Sequence, residues 1–201
     1  MNRPADTQFP IHSLQRDRWS PLAFSDRPVA EHDLASLLEA ARWAASCYNE
    51  QPWAFVVATR DQPADFERLA ECLIDANRVW AGRAPVLILS AVRLHFERNG
   101  QMNAHAWYDV GQAVASLALQ ATALGLHIHQ MAGFDPDKAR AAARLPDTHA
   151  PATMMAVGYY GDRNDLPAEL REREQAPRQR RAVREFACAG RWGQALTLPQ
   201  S

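Results

Sequence analysis

The chain has 201 residues, 47% of them hydrophobic and 22% charged, with a formal net charge of -1. That length suits one domain with a substantial core, and the near-neutral balance speaks against a dedicated nucleic-acid or membrane-surface binder. Three scattered cysteines (Cys47, Cys72, Cys188) without a CxxC pair, a polar start and no membrane-length apolar run point to a reducing, cytoplasmic setting.

After a loose start over residues 1–10, apolar residues at helical spacing predict a helix over 29–46, through Leu34, Leu37, Leu38, Ala41 and Ala45. Residues 54–59 (AFVVAT) read as a buried strand, 63–75 as a second helix, and 85–92 (PVLILSAV) as a second buried strand. The longest predicted helix covers 102–126, and its middle carries almost no charge. Such a helix needs burial on nearly every side, either in the core or against another subunit. A short strand over 128–131, a turn and helix over 134–144 and a strand over 152–160 follow. Residues 162–184 are rich in Arg, Glu and Pro, which suits a linker or an arm ordered by lying along another surface. Strands interleaved with helices predict an α/β or α+β sandwich.

Three short features carry candidate chemistry, and each also has a plain structural use. In Arg18-Trp19-Ser20-Pro21-Leu22, an arginine and a serine two apart can grip a phosphate, or simply mark a turn. Ser46-Cys47-Tyr48-Asn49-Glu50-Gln51-Pro52-Trp53 places small polar groups where they can meet the edge of a heteroaromatic ring, or close a helix. Arg178 and Arg180 share a face of an extended segment and can converge on one anion, or belong to a solvated arm. His127 and His129 alternate on a predicted strand but lack a third ligand in pattern, so no metal site is expected.

Taken in order, these segments resemble the FMN-dependent nitroreductase family. RWSPLAF is similar to its opening motif and SCYNEQPWAFVVA to its SxxNxQPW stretch. Asn77-Arg78-Val79-Trp80 with Ala84-Pro85-Val86-Leu87 resembles its NQxW…APVL segment. Asp109-Val110-Gly111-Gln112-Ala113 with Leu119-Gln120-Ala121 and Leu124-Gly125-Leu126 resembles its long helix, and Met131-Ala132-Gly133-Phe134-Asp135 its loop under the flavin. The likeness runs from about residue 12 to residue 193.

The resemblance implies an α+β fold: a three-layer α/β/α sandwich around a mostly antiparallel sheet. It would form one domain over 1–201, with residues 162–201 as an arm exchanged between the subunits of a homodimer. It implies that Arg18 and Ser20, beside Trp19, bind the FMN phosphate, joined by Arg178 and Arg180. Ser46, Cys47 and Asn49 would line the flavin from the neighbouring subunit, Asn77 would meet its pyrimidine side, and Gln130, Met131, Ala132 and Gly133 would approach N5. Leu22 stands where the family usually has a cation facing the ring, with Arg78 and Arg83 as candidate substitutes. Trp80 stands where some members have lysine, and Cys47 where they have serine. The implied reaction is ping-pong transfer of a hydride from NADH or NADPH through flavin N5 to a nitroaromatic, quinone or similar small acceptor, with no side-chain acid or base. Enone reduction, reductive dehalogenation, flavin destruction and flavin binding without turnover are the alternatives.

Overall fold

The computed structural model describes residues 3–199. Its centre is a four-stranded sheet, β1 (Trp53–Thr59), β2 (Val86–Arg93), β3 (His127–Met131) and β4 (His149–Gly158), in the order β1-β2-β4-β3 with every neighbouring pair antiparallel. β2 is buried over Val86–Val92, as expected of a central strand whose apolar run shows no alternation. The β2–β4 register shifts by one residue between Ser90 and Ala91, where Ala91 faces Pro151. Pro151 cannot donate to the ladder. The irregularity falls beside it, and the Ser90 hydroxyl replaces part of the ladder by bonding both the N–H and the carbonyl of Thr153.

Two apolar clusters cover the two faces and make the three layers. One is built on α2 (Glu31–Arg42) and α5 (Ala106–Ala123), through Leu37, Ala41, Val110, Ala113, Val114 and Leu117. The other joins α3 (Pro63–Ala70), α4 (Asp75–Ala81) and α6 (Pro136–Ala143) to the segment Leu22–Phe24 and to Trp80, Met131 and Met154. Helix starts follow local chemistry. Proline occupies the first turn of α3 and of α6, and the Asp135 carboxylate caps α6 by accepting from the N–H groups of Asp137 and Lys138.

The sandwich agrees with the expected fold class, and the differences are local. The helix expected over 63–75 ends at Ala70, because Leu73 pairs with Phe134 in a short bridge, and a separate α4 follows. A five-residue α1 (Ser13–Asp17) lies between the loose start and the first expected helix, where no element was expected, and α7 (Ala168–Gln175) lies within the arm. α5 is buried along one side only. Trp107 and Tyr108 are 52% and 69% exposed, and Gly111 and Ala115 continue that exposed face, so one chain does not cover it.

Residues 16–24 run along the β3 edge, anchored at two points. Phe24 bridges to Tyr160, and the Gly161 N–H donates to the Ala23 carbonyl. Pro21 offers its carbonyl to Nδ1 of His129 at 2.8 Å. His129 packs 4.4 Å from the ring of Trp80, and His127 meets Trp19 edge-on at 5.6 Å. Burial is the main cause that pushes both histidines below the usual imidazole pKa.

Two outcomes follow from this edge. The unfolded chain binds protons on His127 and His129 around pH 6.5, whereas the folded chain resists them. The stability they confer is complete above about pH 6.5 and declines as the pH falls below it, so urea midpoints should hold between pH 8 and 7 and drop by pH 5.5, less steeply in a H127N/H129N variant. A Cβ added at Gly161 would lie 2.5 Å from the carbonyl carbon of Phe24 and 2.7 Å from the Ser25 nitrogen. Backbone cannot swing aside there, so G161A should cost about 1–3 kcal/mol in urea unfolding.

Candidate functional site

A cavity of about 220 Å³ lies where the arm crosses the segment after α1. Its walls include Arg18, Trp19, Ser20 and Leu22 from one side, Arg173, Glu174, Arg178 and Arg180 from the other, and His129 and Arg3. The structure therefore brings the two arginine motifs together within a single chain. The arm packs on its own chain's N-terminal segment, and its exchange between subunits is not shown.

Charge is the defining property of this cavity. Arg18 has its pKa lowered by burial and then by the charge of Arg180. Arg178 is lowered by burial and then by Arg18, Arg180 and Arg3, against a small opposing pull from Asp17. Asp17 is itself paired with Arg16 at 2.9 Å. Among the described residues, no salt bridge neutralises Arg3, Arg18, Arg173, Arg178 or Arg180. Arginines that repel one another at a shared cavity present surplus positive charge to an anion.

The members differ in what they have left to offer. Arg18 is half-buried, with Nη1 3.4 Å from the exposed Ser20 hydroxyl. Arg180 donates only to the adjacent Gln179 carbonyl and is otherwise exposed. Arg178 is committed to the backbone: its fork donates to the carbonyls of Arg3, Arg16 (3.2 Å) and Arg18 (2.7 Å). Arg178, expected from its spacing to grip an anion, thus uses three of its five N–H donors on backbone while its side chain still lines the cavity. Trp19 is 5% exposed, wedged against His127 and Tyr160 with the Arg3 guanidinium 5.1 Å from its ring centre. Leu22 is 3% exposed and belongs to the core.

The loop after β3 borders the same layer. Met131 is 3% exposed, so its side chain is core, while Gln130 and Ala132 are exposed. Asn77 on α4 donates through Nδ2 to the Gly133 carbonyl at 3.0 Å. A side chain at Gly133 would lie 2.5 Å from that Nδ2 and 2.7 Å from Cδ1 of Ile74. The need for glycine here is explained by the approach of α4.

Ser46, Cys47 and Asn49 are not brought to this cavity. They form a single tight turn fastened to α5, on the other layer of the sandwich. The Cys47 N–H donates to Oδ2 of Asp109 at 3.0 Å, and the Gln51 N–H to the Ser46 hydroxyl at 3.0 Å. Tyr48, Asn49 and Gln51 all have positive φ, at 53°, 58° and 49°. Three such residues within four positions mark a stretch that its surroundings force into shape. Asp109, 2% exposed at the start of α5, is one cause of it. The sequence offered Asp109 only as the first residue of the long-helix motif, and its hold on the Cys47 amide spans 62 residues that no local pattern connects.

Several residues singled out from sequence have other employment. Trp80 is fully buried, stacked on Phe24 at 6.3 Å and against His129, so it is a core residue and not the wall of a site. Arg78 pairs with Glu67, and Arg83 with Asp165 at 3.0 Å, and neither lines the cavity that Leu22 borders. Trp107 and Tyr108, near the start of the long helix, are exposed on this chain. Arg3 and Glu174, which frame the cavity, carried no signal in the sequence beyond their charge.

Known proteins share this fold. A crystal structure described as an oxidoreductase containing FMN superposes with a TM-score of 0.89, at 35% identity, covering 94% of this chain and 96% of that one. A nitroreductase family protein from Clostridium difficile 630 shares the fold with a TM-score of 0.68 at 23% identity, covering 89% of this chain and 96% of its own. A protein named NADH dehydrogenase from Thermus thermophilus is 32% identical over 164 residues, 66% of this chain and 78% of that protein. The model of the Nitroreductase family matches residues 16–159, well over half of the chain, and the chain belongs to that family.

Proposed function

We propose that the protein is an FMN-dependent oxidoreductase that works as a homodimer, drawing electrons from NADH or NADPH and passing them to a small acceptor such as a nitroaromatic or quinone. The observation that carries this reading is the group of arginines lining one cavity, Arg3, Arg18, Arg173, Arg178 and Arg180, none of them held in a salt bridge among the described residues. A phosphate monoester dianion, the end group of FMN, supplies the missing negative charge and accepts several hydrogen bonds at once. The FMN-containing oxidoreductase at 35% identity and the relative named NADH dehydrogenase support the same cofactor and donor.

In this reading Arg18, Arg180 and the Ser20 hydroxyl hold the phosphate, while Arg178 contributes field. Asn77 spends Nδ2 on Gly133 and keeps Oδ1 to accept from the pyrimidine edge of the ring. Ala132 and Gly133 would offer backbone to the flavin ring, and buried Leu22 and Trp19 would exclude water from the cavity floor. FMN, when bound, supplies the redox chemistry: a hydride received from the nicotinamide and handed on to the acceptor in a ping-pong cycle. The side chains bind, orient and dry the site.

The homodimer follows from the parts that one chain leaves apart. Ser46, Cys47 and Asn49 sit in a strained turn remote from the cavity's lining, and beside it α5 exposes Trp107, Tyr108, Gly111 and Ala115. A second copy docked on that apolar face buries it and supplies its turn to the first copy's flavin.

Purified protein mixed with FMN should show oxidised flavin absorption that bleaches on adding NADH or NADPH, and R18A should weaken FMN binding at least tenfold in a fluorescence titration. Bound flavin that neither nucleotide reduces would leave a binding protein, and no flavin affinity would end the reading. Sedimentation velocity should give about twice the 22.5 kDa mass of the chain, and Y108D should return it to monomer with loss of flavin affinity. A wild-type monomer that holds FMN tightly would refute the shared site.

A further inference from the structure

One buried carboxylate in the arm has no part in the contacts above. Glu174 lies in the last turns of α7 and is 6% exposed, between exposed Arg173 and Gln175. Its Oε1 accepts from the N–H of Leu22 at 2.9 Å and from the N–H of Ala23 at 3.1 Å, while Oε2 is buried without a partner. A carboxylate pays heavily for leaving water, and two charge-assisted bonds to backbone are what it gains here. Leu22 and Ala23 are each 3% exposed, so without Glu174 their N–H groups have no water to turn to.

The second tie lies just upstream. Arg178 donates to the Arg18 carbonyl, and Arg3 donates to the carbonyls of Glu174 and Ala176, the latter at 2.6 Å. Arg18, Trp19 and Ser20 are therefore bracketed: one carbonyl is gripped from the arm before them, and two amides are gripped from the arm after them. Neither tie touches the cavity's free anion-binding groups, but together they fix the spacing of those groups.

We infer that Glu174 is a positioning residue for the phosphate cradle, so that recognition of the FMN phosphate requires the arm to be docked through the Leu22 and Ala23 amides. This rests on the FMN reading above. By linkage, phosphate binding must in turn hold the arm down.

The test compares FMN with riboflavin, which has the same ring and ribityl chain but no phosphate, by fluorescence titration on folded protein checked by circular dichroism. E174A should lose at least tenfold in FMN affinity and stay within about twofold for riboflavin. E174Q keeps an acceptor oxygen for the two amides and should stay within about threefold of wild type for FMN. FMN should also slow tryptic cleavage at Arg178–Arg181 in wild type and not in E174A. An E174A protein that keeps its preference for FMN overturns the inference, as does one that loses both flavins equally. So does an E174Q protein as weak as E174A, because the effect would then belong to charge rather than to the amide bonds. A wild-type protein with affinity for neither flavin overturns the FMN reading itself.

Discussion

The cross-tie between the two ends of the chain is the interaction on which the candidate site depends. Arg178 grips the carbonyls of Arg3, Arg16 and Arg18, and Glu174 grips the amides of Leu22 and Ala23. Both bind backbone, so they fix the path of the chain and leave the side chains of Arg18 and Ser20 free. The tie also forces cations together, which opposes folding by repulsion. A fold that tolerates this keeps a site whose occupation by an anion is rewarded, because neutralising the cluster stabilises the native state.

A second constraint acts at the start of α5. Asp109 is a buried charge at a helix start, where the helix dipole favours an anion, and it holds the Cys47 amide. The turn it secures carries three residues in left-handed backbone. Glu50, next in line, bonds to Arg93, and Arg98 lies over the ring of Tyr48 at 4.2 Å. Strain held by contacts from three directions produces a preformed surface, which binds without first paying to become ordered. The cradle and the turn are thus both prepared in advance, yet they are prepared on separate layers of one sandwich.

The layers themselves were legible in the sequence, because the runs 54–59 and 85–92 are short, β-branched and almost wholly apolar, which suits buried strands. Trp80 was not legible. A motif position specifies an address along the chain, and only packing reveals that Phe24 and His129 close over it. The break between α3 and α4 was hidden for a related reason: it is made by Leu73 pairing with Phe134, a partner 61 residues away that no local window contains. Glu174 was the least visible of all. Among Glu169, Glu172 and Glu185 it reads as one more acid diluting a basic arm, and only its two buried amide partners separate it from them.

The distribution of cations says how charge is used under the flavin reading. Leu22 and Trp80 are apolar and buried, Arg78 is spent on Glu67, and Arg83 on Asp165. Asn77, the polar side chain nearest the Gly133 loop, is neutral. The positive charge is instead gathered around Arg18, Arg178 and Arg180. A cation beside the ring would stabilise reduced flavin more than oxidised flavin and so raise its potential, whereas a cation at the phosphate acts nearly equally on both. Under that reading electrostatics in this chain serve to hold the cofactor, and the tuning of its ring falls to neutral donors and to backbone.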